Sequence, residues 1–206
     1  PHVAGLQAPD ATTFTIERRD PAIVGAVCSQ CHSGPSPRLP DGTALRNSSE
    51  SLDLAASSCT GIRCTDCHDP HRGGSDERRA IEACTGCHAD EHTRNYARSA
   101  HAAAWEAELA GARPAAARSH AGGGHDGASC LDCHMPRVVM GIDRYVRTHR
   151  ISSPTNPAMH AQAAPNACNL CHLDRSIRWT VDELKLRHDV RLDPRTWKGY
   201  RDLDAS

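Results

Sequence analysis

Five times in 206 residues the chain repeats one pattern, Cys-x-x-Cys-His. The copies are Cys28-Ser-Gln-Cys31-His32, Cys64-Thr-Asp-Cys67-His68, Cys84-Thr-Gly-Cys87-His88, Cys130-Leu-Asp-Cys133-His134 and Cys168-Asn-Leu-Cys171-His172. Ten of the eleven cysteines lie in these pairs. Cysteines at this spacing serve structural zinc, dithiol redox chemistry or disulfides. None of those uses requires a histidine directly after every pair. Covalent haem does: two thiols form thioethers to the vinyl groups on one edge of a porphyrin, and the next residue lies under the iron as an axial imidazole. The repeat therefore predicts five covalently bound haem c groups. The thioethers fall on Cys28, Cys31, Cys64, Cys67, Cys84, Cys87, Cys130, Cys133, Cys168 and Cys171. The proximal ligands are His32, His68, His88, His134 and His172.

Composition agrees with a core made of porphyrin. Only seven residues are aromatic (three Trp, three Tyr, one Phe), and mean hydropathy is −0.57. A polypeptide core of ordinary size needs more large apolar side chain than that, and the apoprotein is not expected to fold alone. The expected fold class is mainly α with much irregular structure, a haem-dominated core and little or no sheet; 13 prolines and 15 glycines suit long loops between short helices. The formal charge of −1 gives no basic face for nucleic acid. Only Lys185 and Lys198 are lysine among the 24 basic residues. The arginines suit bidentate clamping of haem propionates, although base-composition bias accounts for them equally well. No stretch approaches the roughly 20 apolar residues of a membrane span. A start at Pro1 fits a processed, exported product, and cytochromes c as a class mature outside the cytoplasm. A periplasmic or extracellular location is expected.

The motif starts are separated by 36, 20, 46 and 38 residues, an irregular series without a solenoid period. Residues 1–206 read as one pentahaem domain, with residues 1–27 as an extended N-terminal arm carrying Pro1, Pro9 and Pro21. Residues 33–50 read as a turn-rich loop. Residues 92–110 read as the central helix, with His101, Trp105 and Leu109 on one face. Pro114 and Gly122-Gly123-Gly124 break the segment after it. Thr180-Val-Asp-Glu183 reads as a capping box that opens a helix to about His188.

The second axial ligand decides whether a haem iron only passes electrons or also binds small molecules. Nine histidines lie outside the motifs, more than five irons need, which favours imidazole on both faces. His71, projected by Pro70 from His68-Asp-Pro-His71, is the first distal candidate. His101, with Trp105 one turn away, and His149, ahead of Ile151-Ser-Ser-Pro154, follow. His120 and His92 complete the distal set, with His2, His125 and His160 in reserve. His188, late on its helix, reads as a surface residue. Met140 and Met159 are expected to pack on porphyrin rather than ligate iron. Cys59 has no partner left and reads as a buried or free thiol.

Several stretches carry a family resemblance. Cys130-Leu-Asp-Cys133-His134-Met135-Pro136, then Thr148-His149-Arg-Ile-Ser-Ser-Pro154, then Asn166-Ala-Cys-Asn-Leu-Cys-His-Leu-Asp174 with Trp179-Thr180 resemble the C-terminal part of multihaem cytochromes related to ammonia-forming nitrite reductase. They also resemble the haem domains of large bacterial multihaem cytochromes, as do Ser58-Cys59 and Cys67-His68-Asp-Pro-His71. The likeness spans roughly residues 22–182. It implies that His149 is a distal ligand. Many nitrite reductases hold the catalytic haem through Cys-x-x-Cys-Lys, and no such site occurs here. The expectation is therefore a bis-His electron carrier, not an enzyme, with closely spaced haems and redox partner proteins. Two rivals stand beside it. One is a subunit of a cytochrome filament or larger respiratory complex. The other is a small reductase of nitrite or hydroxylamine with one open haem.

Overall fold

The computed structural model describes residues 20–72, 76–110, 128–162 and 164–191. Helix α1 (Pro21–His32) opens where the Asp20 carboxylate accepts a 2.7 Å hydrogen bond from the Ala22 N–H. Pro21 takes the first helical position, where its missing N–H costs nothing. The extended arm expected over residues 1–27 is corrected for its last seven residues: Pro21, counted there among the arm's prolines, starts a helix. Residues 1–19 lie outside the described residues.

Helices α2 (Glu50–Ala55), α3 (Cys64–Cys67) and α4 (Glu77–Thr85) follow the irregular stretch expected over 33–50. The helix expected over 92–110 is two helices, α5 (Glu91–Ala97) and α6 (Ala100–Leu109). The break is chemical: the Ser99 N–H turns back to the Tyr96 carbonyl, and the Ser99 hydroxyl then accepts from the Ala102 N–H as a fresh cap. Helices α7 (Cys130–His134), α8 (Pro157–Ala161) and α9 (Ile177–His188) complete the series among the described residues. Helix α9 starts three residues before the expected capping box. Ser176 caps it through the Trp179 N–H at 3.1 Å, while the Thr180 hydroxyl is buried and donates to Asn169 Oδ1 at 2.8 Å. Asp189, in the left-handed region at φ 50°, closes it.

Strand β1 (Val139–Met140) pairs antiparallel with β2 (Tyr145–Val146). Gly141 turns the hairpin; a Cβ there would lie 2.6 Å from the Arg144 carbonyl, so a side chain does not fit. The fold is thus mainly helical with much irregular structure and, among the described residues, a two-stranded sheet.

The fully buried apolar side chains among the described residues are Ala44, Ala102, Trp105, Leu131, Val139 and Leu184. Polar groups share that interior, Asp53 and Thr148 among them. Much of the packing is polar stapling. Arg147, 12% exposed at its side chain, pairs with Glu77 of α4 at 2.7 Å and with Asp132 of α7 at 2.8 Å. Arg137 joins the same Glu77 at 2.9 Å. This ties the helix that carries the third motif to the one that carries the fourth. Removing the central cation leaves two half-buried carboxylates facing each other. Arg147→Ala should therefore cost about 2–3 kcal/mol, below the range for fully buried pairs because both carboxylates keep some water. Chemical denaturation of the haem-loaded protein measures it.

Candidate haem sites

Each motif folds into one helical turn. His68, His88 and His172 donate their backbone N–H to the carbonyl of the first cysteine of their motif, each at 2.9 Å. The first motif forms the last turn of α1, and the fourth forms α7. Residues i, i+3 and i+4 share a helix face. Both thiols and the imidazole of a motif therefore leave the turn on one side, as attachment to one porphyrin edge and one iron requires. Two motifs set that turn with their own aspartate. Asp66 accepts from the Arg63 N–H and Asp132 from the Ser129 N–H, each at 2.8 Å. In the fifth motif Asn166 does this work, accepting from the Asn169 N–H at 3.0 Å. These caps are visible as Asp or Asn beside the cysteines, yet motif reading alone passes over them.

The motifs are neighbours in sequence order. Helix α1 packs on α3, α3 on α4, and α4 on α7. The Arg79 guanidinium of α4 grips the carbonyls of Thr65 and Asp66 in α3, at 2.8 and 3.2 Å. The thiols follow the same line. Burial, with the Cys28 thiol beside it, pushes the Cys64 thiol up to about 11. Burial pushes Cys84 up to about 11, with the Cys130 and Cys67 thiols beside it adding to the rise. Cys133 is pushed up to about 12, by burial first and then by Cys168. Among the described residues, which include all eleven cysteines, none is in a disulfide. Cys59 is a half-buried thiol among them.

Two imidazole pairs face each other across this line. The rings of His68 and His149 lie 6.0 Å apart, centroid to centroid, with planes 19° from parallel. Those of His101 and His172 lie 6.1 Å apart at 65°. A metal–imidazole bond is about 2 Å, as at zinc, and ring nitrogen to ring centre is roughly 1.1 Å, so two imidazoles trans on one metal put their centroids about 6 Å apart. The separation of each pair leaves room for one metal between the rings, so His68 with His149 and His101 with His172 would be able to hold an iron. His149 is buried and its Nδ1 has no hydrogen-bond partner. Burial holds its pKa below the usual histidine range against the pull of Glu50, so the ring is neutral and its lone pair available. Trp179 packs on His172 at 4.8 Å.

Two proximal imidazoles are also oriented from behind. His134 Nδ1–H donates to the Ser152 carbonyl at 2.8 Å. His32 Nδ1–H donates to Glu50 at 3.0 Å. Burial raises the Glu50 carboxyl, but the His32 hydrogen bond and two backbone donors outweigh it, so its pKa falls below the ordinary value. A hydrogen bond at Nδ1 leaves Nε2 for a metal. The residues present thus fit haem at the motifs.

The other expected ligands are placed differently. His71 is exposed, its backbone N–H held by Asp69 Oδ1 at 2.9 Å. His160 is 1% exposed and its Nε2–H donates to the Pro154 carbonyl at 2.9 Å, so that nitrogen is not offered to iron. Met159 lines a cleft with Cys133, Val138 and Asn166, while Met140 is exposed on the hairpin. His188 is exposed at the end of α9. His92 lies in α5, but its side chain is outside the described residues, as are His2, His120 and His125.

Residues 117–193, which carry the fourth and fifth motifs with His149 and Trp179, match the model of the family described as Cytochrome c552. This match over the C-terminal part supports a multihaem c-type cytochrome related to cytochrome c nitrite reductase. No curated protein and no solved structure matches it. The family places this cytochrome in electron transfer or nitrite reduction. It also corrects the expectation of a carrier that is not an enzyme, because cytochrome c552 is the nitrite reductase family, a family of enzymes. That expectation leaned on the missing Cys-x-x-Cys-Lys site. A proximal lysine does not define a reducing centre; an open position on the other side of the iron does. Among the described residues no helix is long and apolar enough to cross a membrane.

Proposed function

We propose that this chain is an exported pentahaem cytochrome that gathers electrons from redox partner proteins and delivers them to the reduction of nitrite or a similar small nitrogen oxyanion. The observation that carries the electron-transfer part is the pair of opposed imidazoles, His68 with His149 and His101 with His172, at 6.0 and 6.1 Å. Bound haem supplies one-electron redox chemistry, and the protein supplies ligation, spacing and electrostatics. His68 and His149 would hold one iron from both faces, and His101 and His172 another. His32, His88 and His134 would hold the remaining three from the proximal side. Histidines among His71, His92 and His120 would close two of these and leave one open. The contacts of α1 with α3, α3 with α4 and α4 with α7 support a close series of centres in motif order. All of it would lie in one domain, in the periplasm.

Reduction rather than carriage alone is favoured by the relation of residues 117–193 to the nitrite reductase family. The test is steady-state nitrite consumption by the purified, haem-loaded protein with a reduced dye as donor, alongside carbon monoxide titration. Turnover with carbon monoxide binding at one haem supports the reading. No turnover and no carbon monoxide binding contradicts it.

A further inference from the structure

Two of the motif imidazoles, His32 and His134, differ in the charge behind Nδ1. His134 faces a neutral backbone carbonyl, that of Ser152. His32 faces the Glu50 carboxylate. Glu50 is held for that contact. Its second oxygen accepts from the Ser48 N–H at 2.9 Å, and its side chain is 23% exposed. One residue on, the Ser51 hydroxyl donates to the His32 backbone carbonyl at 2.6 Å, and the Ser29 hydroxyl meets Ser51 at 3.0 Å. The first turn of α2 is thus stitched to the last turn of α1, and the carboxylate has little freedom to leave the ring.

A carboxylate behind an axial imidazole makes the ring a stronger electron donor than a carbonyl does, and hydrogen bonding behind the ligand is one of the levers a protein has on haem potential. Stronger donation and a nearby negative charge both favour Fe(III) over Fe(II). We propose that Glu50 sets the potential of the centre held by His32 below that of the centre held by His134, so that electrons run from the first motif toward the fourth. The proposal rests on the pentahaem reading. Glu50 acts here as a positioning residue, through His32.

Glu50→Gln in the full haem-loaded chain tests it. Glutamine keeps an oxygen for the Ser48 N–H but puts a neutral amide behind His32. Spectroelectrochemical titration should show one step, that of the His32 centre, move upward by about tenfold in the Fe(III)/Fe(II) ratio at fixed potential, about 59 mV for a one-electron couple. The other steps should move less, and Glu50→Asp, which keeps the charge, should shift that step less than Gln does. With five haems present, an unmoved titration or a downward shift would overturn the proposal. Loss of covalent haem in both variants would also overturn it, by assigning Glu50 to folding. Fewer than five haems in the unaltered protein would instead strike the reading beneath it.

Discussion

Chain produced without haem attachment, or with all ten motif cysteines changed to serine, should be unfolded: coil-like far-ultraviolet dichroism and no cooperative thermal transition. The expected effect is the whole of the folding free energy. The buried apolar set among the described residues consists of six side chains, two of them alanine, and Trp105 is the sole aromatic among the six. Burying a large aliphatic or aromatic side chain is worth about 1.5–3 kcal/mol, while fixing one residue's backbone costs about 1–2 kcal/mol. Four large side chains cannot order the segments that the described residues make up. Helix α1 shows where further apolar burial is to come from. Ile23 and Val27 are exposed one turn apart, and Val27 lies one turn before Cys31, on the side from which that thiol leaves the helix. A cooperative transition in the haem-free chain would contradict this.

Replacing His149 with alanine should convert one centre of the haem-loaded protein from six-coordinate low-spin to five-coordinate high-spin. That centre should gain carbon monoxide binding and shift to higher potential. The imidazole of His149 stands 6.0 Å from that of His68 and nearly parallel to it. Its loop is held in place: the Ser57 hydroxyl reaches the His149 carbonyl at 3.3 Å and accepts from the Ile151 N–H at 2.8 Å, and Thr148 is buried. The truncated loop therefore has no easy way to bring another donor to the same point. His160→Ala is the contrast. It removes a buried hydrogen bond to the Pro154 carbonyl and should cost about 1–3 kcal/mol without changing any spin state. Electron paramagnetic resonance of both oxidised variants separates the two roles. A fully low-spin spectrum after His149→Ala would mean that another side chain closes that iron.

The attachment chemistry was legible because it is local. Cys-x-x-Cys-His is one helical turn, so spacing alone puts three side chains on one face, and the turns at His68, His88 and His172 have that geometry. The imidazole pairs are not local. His149 lies far in sequence from His68, and His101 from His172, so composition showed a surplus of histidines but not their partners. A resemblance pointed to His149; helix position pointed to His101. His71 stood first by its proline turn, and the Asp69 carboxylate shapes that turn by accepting from the His71 N–H. The helix breaks were hard to read for a related reason. Ser99 and Ser176 cap new helices through side-chain oxygens whose role depends on backbone direction, and Pro21 begins a helix or ends one according to the residue before it. Glu50 carried no signal, since its partner His32 is brought to it only by the packing of α1 on α2.

Intact mass of the matured protein, with a pyridine haemochrome assay on the same sample, tests the pentahaem reading most directly. Five motif turns, none of them closed by a disulfide, should give a mass increase of five haems, five haems per chain by absorbance, and no cysteine in the motifs left open to alkylation. Three or fewer covalent haems in fully matured protein, or alkylation of both cysteines of any motif, would contradict it.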